Sequence, residues 1–161
     1  MSIDFTKVIA ANAIEGEDAK ETVHLKAMLD EAKRYLLSFD WCAAIRETYM
    51  GRDFGIGGIL AVFLFRITPA GDHVDEWLWV IVGDVPPAYI TTEDAPNPAC
   101  ALDGYIGAMR EWVDAAMSGR SVDSLIPVNV SPTPELAEQL KGRLNFLDKK
   151  ILSYYQDDLE Q

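Results

Sequence analysis

Apolar positions in this chain recur with two different periods, and the changes of period mark its elements. Leu25, Met28, Leu29, Ala32, Leu36 and Phe39 follow one another at three- and four-residue steps, with Lys20, Lys26, Glu31, Lys33 and Arg34 on the positions between. That spacing puts one stripe in a core and the charges in water, which predicts an amphipathic helix over about residues 18–39. Asp18 followed by Glu21 reads as a capping box at its start. Ile3, Phe5, Val8 and Ile9 ahead of it are apolar enough to predict that residues 1–16 dock, as a short helix, rather than trail.

The middle of the chain changes character. Trp41 to Met50 reads as a strand, Gly51 to Gly58 as a glycine-rich connection, and Ile59 to Ile67 as a strand of almost unbroken apolar residues. Thr68-Pro69-Ala70-Gly71-Asp72 is a turn, so Trp77 to Val82 returns as the antiparallel neighbour. Strands this apolar require cover on both faces. At Gly83-Asp84-Val85-Pro86-Pro87 the chain must leave the sheet, because proline has no N–H for the ladder, and Tyr89-Ile90 then begins a short edge strand.

Helical spacing resumes after Asn97-Pro98, a cap followed by proline at the first helical position. Leu102, Tyr105, Ile106, Met109, Trp112, Val113, Ala116 and Met117 form its stripe, which stops at Gly119. Thr133-Pro134 repeats the start signal ahead of Leu136, Leu140, Leu144, Leu147, Ile151 and Tyr154. The acidic residues 157–161 are expected to fray. The sum is an α+β fold: an N-terminal helix, an antiparallel meander of three to four strands, and two C-terminal amphipathic helices packed on the sheet. With 161 residues, 49% of them hydrophobic, one globular domain over 1–161 is the expectation.

Charge narrows the functions. The net charge is −12, and between Arg66 and Arg110 there is no lysine or arginine against seven acids: Asp72, Asp75, Glu76, Asp84, Glu93, Asp94 and Asp103. Direct nucleic-acid binding needs clustered cations and is disfavoured. Mimicry of nucleic acid would need a regular acidic array across Glu76 to Asp114. An acidic surface suits a basic partner, or simply solubility. No apolar run reaches the roughly 20 residues that cross a bilayer, so no membrane association is expected. The opening MSIDFTKVIAANAIEGED does not read as a signal peptide, which points to a cytoplasmic protein with Cys42 and Cys100 as reduced thiols.

Catalytic motifs are wanting. Gly51 to Gly58 precedes a strand and carries no lysine, so it is not a phosphate loop. His24, His73, Cys42 and Cys100 have no ligand spacing, and neither a metal nor a cofactor is expected. There is no Gly-x-Ser-x-Gly elbow, and Cys42 reads as a small core residue. Two readings of function follow. In the first, the protein is a non-enzymatic acidic binding protein, for example an immunity-type inhibitor of a basic toxin or nuclease. Its contacts would be Asp72, Asp75, Glu76, Asp84, Glu93 and Asp94 with Tyr89 or Trp77 as an aromatic anchor. In the second it is a small enzyme or ligand-binding module, with Asp84, Tyr89, Tyr105 and Trp112 lining a pocket between the sheet and the C-terminal helices. Exposed tryptophans would favour a homodimer.

The run Trp77-x-Trp79-Val80-Ile81-Val82-Gly83-Asp84-x-Pro86-x-x-Tyr89, with the Asn97-Pro98 helix start and Trp112 late in that helix, resembles a family of small bacterial proteins of unknown function. Members carry a tryptophan-rich strand ending in Gly-Asp-x-Pro-x-x-Tyr, followed by an alanine-rich helix with a late tryptophan. The likeness spans roughly Trp77 to Trp112, is weaker at Trp41-Cys42 and in the last helix, and implies no activity.

Overall fold

A computed structural model of the chain describes residues 2–72 and 74–160. Its centre is a five-stranded antiparallel sheet in the order β1 (Val8–Ala10), β2 (Cys42–Ile56), β3 (Leu60–Pro69), β4 (Trp77–Gly83) and β5 (Ala88–Thr91). Helix α1 (Ala19–Leu37) covers one face, and α2 (Pro98–Ser118) and α3 (Pro134–Lys150) share the core of the other. The class is α+β, with one N-terminal and two C-terminal helices on the sheet, as their periodicity implies. No helix among the described residues is long and apolar enough to cross a membrane.

The unbroken apolar strands now have a cause. Successive side chains in a strand point to opposite faces. Leu60, Val62 and Leu64 of β3 join the core beneath α2, whereas Ala61, Phe63, Phe65 and Ile67 join the core beneath α1. In β4, Trp79 and Ile81 face α2, and Leu78, Val80 and Val82 face α1. From Leu60 to Phe65 and from Leu78 to Val82 both faces are closed by packed apolar side chains; each large side chain fully buried there stabilises the fold by about 1.5–3 kcal/mol. The indole N–H of Trp79 donates to the Ala95 carbonyl at 2.8 Å, which lets so large a ring sit in the core without an orphaned donor.

Helix ends follow local chemistry. The Asp18 carboxylate accepts from the Glu21 backbone N–H at 2.8 Å; the reciprocal half of the capping box is displaced by one residue, for Glu21 accepts from the backbone of Glu17 at 2.9 Å. Asn97 accepts from Cys100 N–H at 2.8 Å, Thr133 from Leu136 N–H at 3.3 Å, and α2 ends at Gly119 with φ 71°.

Three expectations need correction. The segment around Phe5 was expected to be a short helix before α1. It contains two 3-10 turns (Phe5–Lys7 and Ala11–Ala13), and between them the chain adds β1 to the edge of β2, pairing Val8 with Gly51 and Ala10 with Tyr49. An open strand edge leaves N–H and C=O groups unpaired, and a three-residue strand satisfies them. Second, the glycine-rich connection is largely strand: β2 runs on to Ile56, with its register to β3 shifting between Met50 and Gly55. Gly51 is needed there because a Cβ would lie 2.7 Å from the Pro98 ring at the start of α2. The sheet therefore has five strands rather than three or four. Third, residues 157–159 are not frayed, Gln161 lying outside the described residues. Gln156–Leu159 form a helical turn, α4, whose Asp158 takes the Asn97 side-chain N–H on its backbone carbonyl at 2.9 Å and Lys7 on its carboxylate at 3.1 Å.

Candidate functional site

Strand register sorts the acidic residues into two groups. Cys42 lies opposite Pro69, Arg66 opposite Trp77, and Leu78 opposite Thr91. The segments 38–41, 70–76 and 92–94 therefore leave the same end of the sheet. Asp40, Asp72, Asp75, Glu76, Glu93 and Asp94 are all exposed there. Asp84 is at the opposite end, where Gly83 pairs with Leu60.

The first end also carries aromatics. Helix α1 stops at Leu37, and the chain turns through Phe39 and Trp41 into β2. Phe39 stacks on Trp41 with centroids 4.9 Å apart, and Tyr89 meets both edge-on at 5.5 and 5.1 Å. The Trp41 carbonyl accepts from Ala70 N–H at 2.9 Å, which ties the backbone at Trp41 to the β3–β4 connection. Beyond the end of α1 a groove of about 270 Å³ remains, lined by Trp41, Val74, Asp75, Leu78, Tyr89 and Thr91. Tyr35, on the last full turn of α1, closes the β5 edge beside it; burial pushes its phenol up to about 12, with a hydrogen bond to the Tyr89 backbone acting the other way.

Not every acid at this end is free. Arg66 lies between Glu47 at 2.8 Å and Glu76 at 2.6 Å, with its guanidinium carbon 5.9 Å from the centre of the Trp77 ring. Asp72, Asp75, Glu93 and Asp94 form no ion pair among the described residues.

The expected pocket of Asp84, Tyr89, Tyr105 and Trp112 does not assemble. Tyr89 opposes Val80 and packs on the α1 face, whereas Tyr105 and Trp112 are sealed in the α2 face at 0% and 1% exposure. The Tyr105 hydroxyl donates to the Pro86 carbonyl at 2.5 Å, and burial pushes its ionisation far up, so it serves as a strut. Asp84 faces Arg143 of α3 at 3.3 Å across an open groove of about 410 Å³ whose apolar wall includes Ile59, Val85 and Phe146. The turn at Gly83-Asp84 is dictated by backbone geometry: Gly83 has φ 145°, and any Cβ there would run into the Ile59 carbonyl.

One polar cluster lies outside every sequence expectation. Lys7, Arg52, Asp53, Tyr155 and Asp158 line a pocket of about 300 Å³ between β2 and α4, and Asp53 has φ 66°, unusual for a residue with a side chain. The Asp158 carboxylate raises the affinity of Lys7 for its proton, chiefly through their hydrogen bond. Only the polar run Arg52-Asp53 hinted at it, and its partners come from both ends of the chain.

Neither thiol is poised for reaction. Burial raises both, with Asp103 adding to the effect at Cys100, and they lie on opposite sides of the sheet as free cysteines. His24 is exposed on α1, His73 lies outside the described residues, and no group of three His, Cys, Asp or Glu that could hold a metal occurs among the described residues. Of the four tryptophans, Trp79 and Trp112 are buried and Trp41 and Trp77 are half-buried. Compared with protein-family models, with characterised proteins and with solved structures, the chain gives no match.

Proposed function

We propose that this protein is a binding module for a basic protein, and that the acidic end of its sheet is the contact surface. The observation that carries this reading is the meeting there of carboxylates that form no ion pair among the described residues (Asp72, Asp75, Glu93 and Asp94) with half-buried aromatics (Trp41 and Tyr89) beside an open groove. Exposed carboxylates contribute little affinity singly, but together they steer a cationic partner and repel polyanions. Aromatic anchors supply what charge does not, namely apolar area that binding removes from water. Asp84 drops out of the contact set, being at the other end and paired with Arg143, and Glu76 is occupied by Arg66. An inhibitor of a basic enzyme, such as a nuclease, is the functional class this surface suits.

The test is affinity capture on the immobilised protein, side by side with the variant Asp75→Lys/Glu93→Lys/Asp94→Lys. A basic partner should be retained by the wild type, released by salt, and lost from the variant. Partners held equally by both proteins, or an acidic partner, would refute the reading.

A further inference from the structure

We infer that the groove at the end of α1 receives one arginine side chain of the bound partner, stacked on Trp41 and Tyr89 and held at its head by Asp75; this rests on the reading just proposed and specifies what it recognises. The groove is selective because its parts ask for different things. Leu78 is 3% exposed and forms an apolar floor, with Val74 and the two rings as walls. Such a lining rejects a strongly hydrated group. Asp75 brings a carboxylate to the same groove and forms no ion pair among the described residues. A ligand that satisfies both must be flat, weakly hydrated and positive. Guanidinium fits all three conditions: it stacks on aromatic faces and pairs a carboxylate through two parallel N–H donors. A lysine ammonium keeps its water more firmly and pairs as a point charge, so it fits less well. The surrounding charge agrees, since Asp40 adjoins Trp41 and Glu93 and Asp94 follow Thr91 by two and three residues.

The site is also prepared in advance. Trp41 is held by its backbone bond to Ala70 and by its stack on Phe39, and Tyr89 belongs to a paired strand. Rings fixed before binding lose little freedom on binding.

Acetyl-Gly-Arg-Gly-amide is the probe, with its lysine and citrulline counterparts as controls, citrulline keeping the shape of arginine without its charge. The readout is the indole N–H resonance of Trp41 in the ¹⁵N-labelled full chain, assigned by its loss in Trp41→Phe. The arginine peptide should shift that resonance with millimolar affinity, at least threefold tighter than the lysine peptide and tenfold tighter than citrulline. Asp75→Asn should weaken it at least fivefold. Thr91→Trp, which fills the groove from an edge strand without altering charge, should abolish it and should weaken capture of the partner at least tenfold. Equal shifts with arginine and citrulline, no shift at 20 mM peptide, or a Thr91→Trp variant that captures the partner like wild type would overturn the inference. If charge reversal still abolishes capture in any of those cases, the binding surface stands and only the arginine assignment falls. If reversal has no effect, the surface itself is wrong.

Discussion

The two faces of the sheet are built from the same alternating strands yet end in different states. On the α2 face, two helices, the α4 turn and the N-terminal segment close over the core, so Tyr105, Trp112 and Asn97 are all sealed. On the α1 face a single helix ends at Leu37, just past its contact with β5 through Tyr35, and Trp41 and Tyr89 stay half-buried beside a groove. Aromatics are equally at home on both. What separates a strut from an anchor is whether a second helix arrives to finish the burial.

Removing one ring from each face is the strongest way to break that comparison. Trp112→Ala should lower unfolding free energy by about 3–5 kcal/mol in urea titration, because a large cavity opens in a closed layer. Trp41→Ala should lower it by only about 1–2 kcal/mol, since water can fill the space, while removing partner capture. Similar losses from the two would mean the groove is as much core as the α2 face.

Alkaline pH should act next most strongly. Burial raises Tyr35 to about 12 and raises Tyr105 as well, against an ordinary phenol near 10. A raised folded-state value means that the native chain holds its proton longer than the unfolded one. The stability from each neutral phenol is therefore complete below about pH 10 and declines above it, and the share of Tyr35 is lost as pH climbs through 12. Urea midpoints should fall across that window, and Tyr35→Phe should flatten the fall; a midpoint constant from pH 9 to 12 would contradict it.

Asn97 offers a third cut. It accepts from the Cys100 N–H with its oxygen and donates from its nitrogen to the Asp158 carbonyl, and it is fully buried. Asp is as good a helix cap but has no donor, so Asn97→Asp places a carboxylate against a carbonyl. About 2 kcal/mol of stability should go, and α4 should exchange its amides faster. Unchanged exchange in α4 would show that the turn is held some other way.

The smallest effect on stability separates the two ends of the sheet. Asp84→Asn breaks an exposed pair with Arg143, and Asp75→Asn removes a charge that has no ion pair among the described residues; each should change unfolding free energy by less than about 0.5 kcal/mol. Only Asp75→Asn should weaken partner capture. Equal effects of the two on capture would mean that position on the sheet does not matter.

Some of this was open to reading from the residues. The caps Asp18, Asn97 and Thr133 and the glycine stop at Gly119 located all three long helices, because a cap acts within one turn of itself. The apolar run of β3 announced cover on both faces by the same short-range logic. β1 and the continuation of β2 to Ile56 were not legible, since a three-residue strand exists only by virtue of the edge it joins. The grouping of Tyr89 with Tyr105 failed on parity: Ala88 and Ile90 face α2, so Tyr89 cannot. That parity is meaningful only once β5 is registered on β4.

The chain's own order of residues determined its helices, its strand alternation and the absence of lysine and arginine between Arg66 and Arg110, because composition, propensity, capping and periodicity are local to the sequence. Tertiary structure decided which acids are neutralised, which aromatics are sealed and where a groove remains. Those outcomes depend on groups such as Asp84 and Arg143, or Asn97 and Asp158, that lie 59 and 61 residues apart and meet only when the sheet and its covering layers are in place.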